Sequence, residues 1–136
     1  MDVLSGDLTF VKLANYKRLL SSPYFFRSIG NTLLIWIMSI VPQLTLAFLL
    51  ALLMSNRWLR GRSVFRNVYF FPNLVTSVTI GLLFGALFSY PGGAINSVIK
   101  ALGLEAVDFQ NNQMLARVVI AIAICWKNFG FNIIYF

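Results

Sequence analysis

At 136 residues, 59% of them hydrophobic and only 11% charged, the chain is too apolar for an ordinary water-soluble domain. It has no histidine, which excludes a Ser/His/Asp triad, a Cys/His dyad and the usual zinc sites, and it carries no GxxxxGK[ST] phosphate loop, so neither enzymatic nor cofactor chemistry is expected. The net charge of +7 does not describe a nucleic-acid surface, because the basic residues gather at the ends of long apolar runs, as they do in proteins whose solvent is the lipid bilayer.

Residues 1–27 are expected to form an external or interfacial segment. They lack the apolar core of a signal peptide but hold Lys12, Lys17, Arg18 and Arg27. From Ser28 to Asn56 there are 29 residues without a charge, enough to cross a hydrocarbon core of roughly 30 Å with several to spare, and a helix is expected at about 29–54. Within it Thr32, Ser39 and Gln43 fall within about 40° of one another at ~100° per residue. That narrow polar stripe is either the wall of a path or a set of interhelical hydrogen bonds. Pro42 removes an N–H from the same helix, and a kink is expected there.

The connection 55–67 carries Arg57, Arg60, Arg62 and Arg66 with no acidic residue, the signature of a cytoplasmic loop. The basic excess in 1–27 argues the other way; the compact Arg cluster is taken as the stronger signal. The second uncharged run, from Asn67 to Ile99, has 33 residues and predicts a helix at about 68–90. Small residues recur every four positions at Ser77, Gly81, Gly85 and Ser89, a helix-packing face of the kind that lets two backbones approach closely, although glycine is also simply frequent in membrane helices.

Pro91-Gly92-Gly93 ends that helix, and the external loop 91–113 sets Lys100 against Glu105 and Asp108 and holds a short helix at 94–102 stopped by Gly103. The third run, 114–136, is apolar apart from Arg117, Lys127 and two Asn, and reads as a membrane helix cut short. Lys127 lies roughly 20 Å into it and is the most costly residue of the chain to insert, so it contacts substrate, pairs across the bundle or snorkels to the headgroups. Cys125 reads as a packing residue.

A succession of short landmarks follows the same order: Leu13-Ala14-Asn15-Tyr16, Pro23-Tyr24-Phe25, Asn31-Thr32-Leu33, Val41-Pro42, Arg62-Ser63-Val64-Phe65-Arg66 running into Tyr69-Phe70-Phe71-Pro72, Gly93-Ala94-Ile95-Asn96, Leu102-Gly103-Leu104 and Trp126-Lys127-Asn128-Phe129-Gly130-Phe131. This order resembles the permease subunit of binding-protein-dependent ABC importers, in the carbohydrate-uptake branch. The resemblance implies an all-α integral membrane protein, a partial ABC-importer permease (MetI-like) fold whose three transmembrane helices are core helices two to four of six. It further implies uptake of a sugar or related polyol, driven by ATP hydrolysis on separate subunits. The partners would be a second permease subunit, ABC ATPase subunits and an extracytoplasmic solute-binding protein, all at the plasma (inner) membrane of a bacterium or archaeon, with membrane lipid around the chain. The loop that docks the ATPase in that family is expected after residue 136. The alternative is a small three-helix membrane protein that oligomerises through Gly81 and Gly85 as a pore or regulator.

Overall fold

A computed structural model describes residues 13–55 and 62–133, and among them every regular element is helical. The chain divides into two compact units, Met1–Leu34 and Ile35–Phe136. In the first, α1 (Ala14–Leu20) ends at Ser21, and α2 (Pro23–Ser55) begins after a short turn. Proline at the first helical position has no N–H to waste there and a φ already suited to the helix. The start therefore falls at Pro23, six residues before the position suggested by the last charge, since Arg27 is an acceptable helix former and burdens only insertion. With 33 residues, α2 is about 50 Å long and outruns a hydrocarbon core.

The second unit contains the rest of α2 and everything after it. α2 runs on through Pro42, and Thr45 Oγ1 donates to the Val41 carbonyl at 2.8 Å beside the interrupted ladder. The uncharged run 67–99 departs from a single helix. It is two helices, α3 (Arg62–Leu74) and α4 (Ser77–Leu87), and the stretches Asn67–Leu74 and Ser77–Leu87 are bent by 98°. Pro72 explains the end of α3: it cannot donate to the Val68 carbonyl, and its ring crowds that carbonyl. Thr76 explains the restart, because its Oγ1 accepts from the Thr79 N–H at 3.2 Å and caps α4. Apolarity counts residues but does not see a proline followed by a capping hydroxyl.

The loop that follows is ordered by its own hydrogen bonds. α5 (Ala94–Ala101) stops in a turn where Gly103 takes φ 80° and donates to the Lys100 carbonyl at 2.9 Å, while the Leu104 N–H reaches Ile99 at 3.2 Å. A left-handed residue there is nearly free for glycine and strained for others. α6 (Gln113–Asn132) is capped by Asn112, whose Oδ1 accepts from Met114 and Leu115.

Helix α3 lies most extensively against α6. Gly130 makes that possible: it is buried, and a Cβ built on it would overlap the Tyr69 carbonyl. Tyr69 and Phe129 meet edge to face beside the crossing, with ring centroids 5.8 Å apart. Among the described residues few large side chains are buried, whereas Trp36, Phe48, Leu53, Leu82 and Ile122 are among many exposed apolar ones. Two helices among the described residues, Pro23–Ser55 and Gln113–Asn132, are long and apolar enough to cross a membrane, and the bent pair makes three if it counts as one span. The exposed apolar surface is what such spans present to lipid or to other helices.

Candidate functional site

The bend between α3 and α4 brings together two residues fifty positions apart. Lys127 Nζ donates to Ser77 Oγ at 2.7 Å. Ser77 is the first residue of α4, and Lys127 sits on the half of α6 that faces it, so the most costly charge in the chain ends on a hydroxyl at a helix start. Thr76 and Thr79 add two hydroxyls at the same break, with their oxygens 2.9 Å apart.

From that contact an apolar groove of about 430 Å³ opens between α4 and α6. Ser77 and Lys127 lie at one end; Phe109 and Gln110, from the loop before α6, lie at the other. Gln110 Nε2 reaches the Gly85 carbonyl at 3.4 Å. Gly81 and Gly85 line the wall between, and a Cβ on either meets nothing within 4 Å. Among the described residues, then, no backbone approaches that face. Ser89 leaves the row: it lies past the end of α4, and its hydroxyl bonds the Ala86 carbonyl at 3.0 Å.

The remaining expected residues lie apart from this groove. Thr32 Oγ1 bonds the Ser28 carbonyl at 2.9 Å, and Ser39, buried, bonds Trp36 at 2.9 Å, so both hydroxyls satisfy their own helix; Gln43 is half-buried. A second apolar groove, of about 420 Å³, lies between Pro42 and Leu46 of α2 and Ala121, Cys125 and Phe129 of α6. Neither Ser39 nor Gln43 lines it. Arg57 and Arg60 lie outside the described residues, while Arg62 and Arg66 fall in the first turns of α3.

Two residues stand out that sequence reading passed over as structural keys. Asn96 is fully buried and uses its whole amide: Nδ2 donates to the Ser89 and Val107 carbonyls at 3.0 Å, and Oδ1 accepts from the Val107 N–H at 2.8 Å. Gly130 is the other. Their only signal was position inside the two landmarks Gly93-Ala94-Ile95-Asn96 and Asn128-Phe129-Gly130-Phe131. Asp108 closes the same loop. Its carboxylate takes the Asn111 side-chain amide and the Asn111 and Gln110 backbone N–H groups, and these hydrogen bonds, that from the Asn111 side chain first, hold its pKa below the ordinary carboxylate value. No cluster of three potential metal ligands occurs among the described residues.

No protein-family sequence profile matches the chain. Individual relatives do. Over 135 residues it is 32% identical to the arabinooligosaccharides transport system permease protein AraP of Halalkalibacterium halodurans, covering 98% of this chain and 42% of that protein. It is 30% identical over 131 residues to the lactose transport system permease protein LacF of Rhizobium radiobacter, covering 95% and 44%. A Brucella abortus relative, the sn-glycerol-3-phosphate transport system permease protein UgpA, is 29% identical over 137 residues, covering 99% and 45%. Among solved structures, a bacterial ABC transporter that imports the acidic polysaccharide alginate superposes with a TM-score of 0.81 at 24% identity, over 95% of this chain and 46% of that one. A bacterial alginate ABC transporter in complex with its alginate pentasaccharide-bound periplasmic protein gives 0.79 at 25%, over 92% and 44%. The chain thus spans less than half the length of each of these relatives.

Proposed function

We propose that this chain, which has part of the ABC-importer permease fold and resembles sugar-transport permeases over nearly its whole length, belongs to the membrane-spanning path of an ABC importer for a sugar or related polyol. The observation that carries the reading is that the likenesses in sequence and in fold each extend over 92–99% of the chain. The partners are a second permease, two ATPase subunits and an extracytoplasmic solute-binding protein, and the membrane is the plasma (inner) membrane. This chain supplies path and scaffold, and ATP is hydrolysed elsewhere.

The geometry suits alternating access. A span broken at Leu74–Ser77 and held to α6 at Gly130 can rock about that crossing, and a discontinuous helix is where transporters place polar contacts within the membrane. Lys127 and Ser77 are the polar contact on this path, and Thr32, Ser39 and Gln43 serve helix packing or a second stretch of it. The Arg-bearing connection 55–67 lies in the cytoplasm and 91–113 outside.

The test is uptake. A permease containing these residues, reconstituted in vesicles with its neighbouring subunits and binding protein, takes up a labelled saccharide saturably and only with ATP. Uptake that persists without the ATPase subunits, or none with every saccharide and polyol offered by a loaded binding protein, overturns the reading.

A further inference from the structure

Helix α5 carries an aliphatic patch on its open side. Of its polar residues Ser97 and Lys100 are exposed and Asn96 is 0% exposed, yet Val98 and the C-cap residue Leu102 are 59% and 73% exposed, with Leu104 just beyond at 63%. At ~100° per residue, Val98 and Leu102 fall within about 40° of each other and on the side opposite Asn96. This roll is fixed by the three hydrogen bonds of the Asn96 amide to Ser89 and Val107. Any rotation that hid Val98 and Leu102 would leave a buried amide and the Val107 N–H without partners. Lys100 does not mask the apolar face, because its ammonium is drawn back to the Pro91 carbonyl at 3.0 Å.

We infer that the Val98–Leu102–Leu104 face of α5 seats in the headgroup and acyl boundary of the bilayer, making the loop a membrane-lying strap between two spans. Three observations select lipid over a protein partner. The loop is tethered at both ends to the apolar helices α4 and α6, so the patch stays at the membrane surface. The outward side chains are plain aliphatics that present no hydrogen-bonding or charged group for a protein to read; the one hydroxyl beside them, on Ser97, is bonded to Gly93 at 3.1 Å. Tyr90, 54% exposed at the near end of the loop, is the residue type that favours the interface. The inference rests on the membrane reading of the chain but not on the transport reading.

The experiment uses the full chain with Cys125 replaced by Ala, in phosphatidylcholine–phosphatidylglycerol vesicles, with a nitroxide placed at V98C, L102C or E105C. The labels at 98 and 102 are expected to be relaxed by oxygen and shielded from a water-soluble nickel chelate, the label at 105 the reverse. Adding N96A to L102C should raise nickel accessibility several-fold by releasing the roll of α5. Nickel accessibility at 98 and 102 equal to that at 105 overturns the inference. So does shielding that arises only when the binding protein is added, because the occupant is then protein. Failure here with ATP-dependent uptake intact would leave the permease reading standing.

Discussion

Two contacts with α6 differ sharply. Where α3 crosses it, a single glycine, Gly130, lies against the Tyr69 backbone so closely that no Cβ fits. Where α4 runs beside it, two glycines four apart, Gly81 and Gly85, face open space. Among the described residues the spacing that reads as a packing face is unoccupied, and the close crossing uses a glycine with no spacing pattern at all. Small residues in a membrane helix permit close approach; which one is used depends on where the bend at Leu74–Ser77 aims the helix.

The largest expected effect breaks the first contact. Gly130→Val should cost about 3 kcal/mol or more, because overlap with backbone cannot be relieved by a side-chain rotation. Unfolding in mixed detergent micelles measures it. Against it, Gly81→Ala and Gly85→Ala should be neutral or gain ~0.5–1 kcal/mol each, since alanine is the better helix former and space is available. A large loss at either would mean that α4 is as tightly seated as α3.

Next comes the loop. Asn96→Leu should lose about 2–3 kcal/mol, mostly from leaving the half-buried Val107 and Ser89 backbone groups unpaired, and hydrogen exchange at the Val107 amide should accelerate accordingly. Unchanged protection there would show that Asn96 does not hold the loop.

Lys127→Met sharpens the comparison at the groove's polar end. Removing the charge should make α6 insertion easier by about 2.5–3.5 kcal/mol on a translocon scale, while abolishing the Ser77 contact and altering transport in an assembled importer. Unchanged uptake would place Lys127 outside the path. Gly81→Leu with Gly85→Leu should leave this chain folded yet weaken assembly with other helices, whereas Leu82→Ile with Leu83→Ile should do much less. Equal assembly by both pairs would remove the groove as a packing surface.

The smallest effect is pH dependence at Asp108. Its folded pKa is lowered by the Asn111 and Gln110 hydrogen bonds, so its contribution is present above the ordinary unfolded carboxylate pKa of about 3.9 and is lost as pH falls through the lower folded value. Amide protection of Gln110 and Asn111 should drop in that acid range and stay flat in Asp108→Asn. A loss already complete near pH 6 would point to another group.

Much of the architecture was legible because apolar run length is a strong signal: the long apolar helices, the stop at Gly103 and the short helix inside the loop all follow from composition and turn chemistry. The broken span was not, since hydropathy averages over Pro72 and Thr76, and a 98° bend costs no apolar residue. Lys127 was visible as a charge out of place, but its partner Ser77 was not, because a contact across fifty positions depends on that bend. Asn96 and Gly130 stand in the sequence only as members of short motifs; their physical work, an amide fully paired and a backbone overlap avoided, exists only in three dimensions.

The central claim is that α2, the bent α3–α4 pair and α6 cross a bilayer with the Arg-bearing connection inside and the Asn96-pinned loop outside. Single cysteines at Ser63 and Ser97, in a Cys125→Ala background, test it directly in sealed right-side-out membrane vesicles. A membrane-impermeant maleimide should label the cysteine at 97 from outside and the one at 63 only after the vesicles are opened. Labelling of both from the same side, or labelling at 63 alone from outside, would contradict the account.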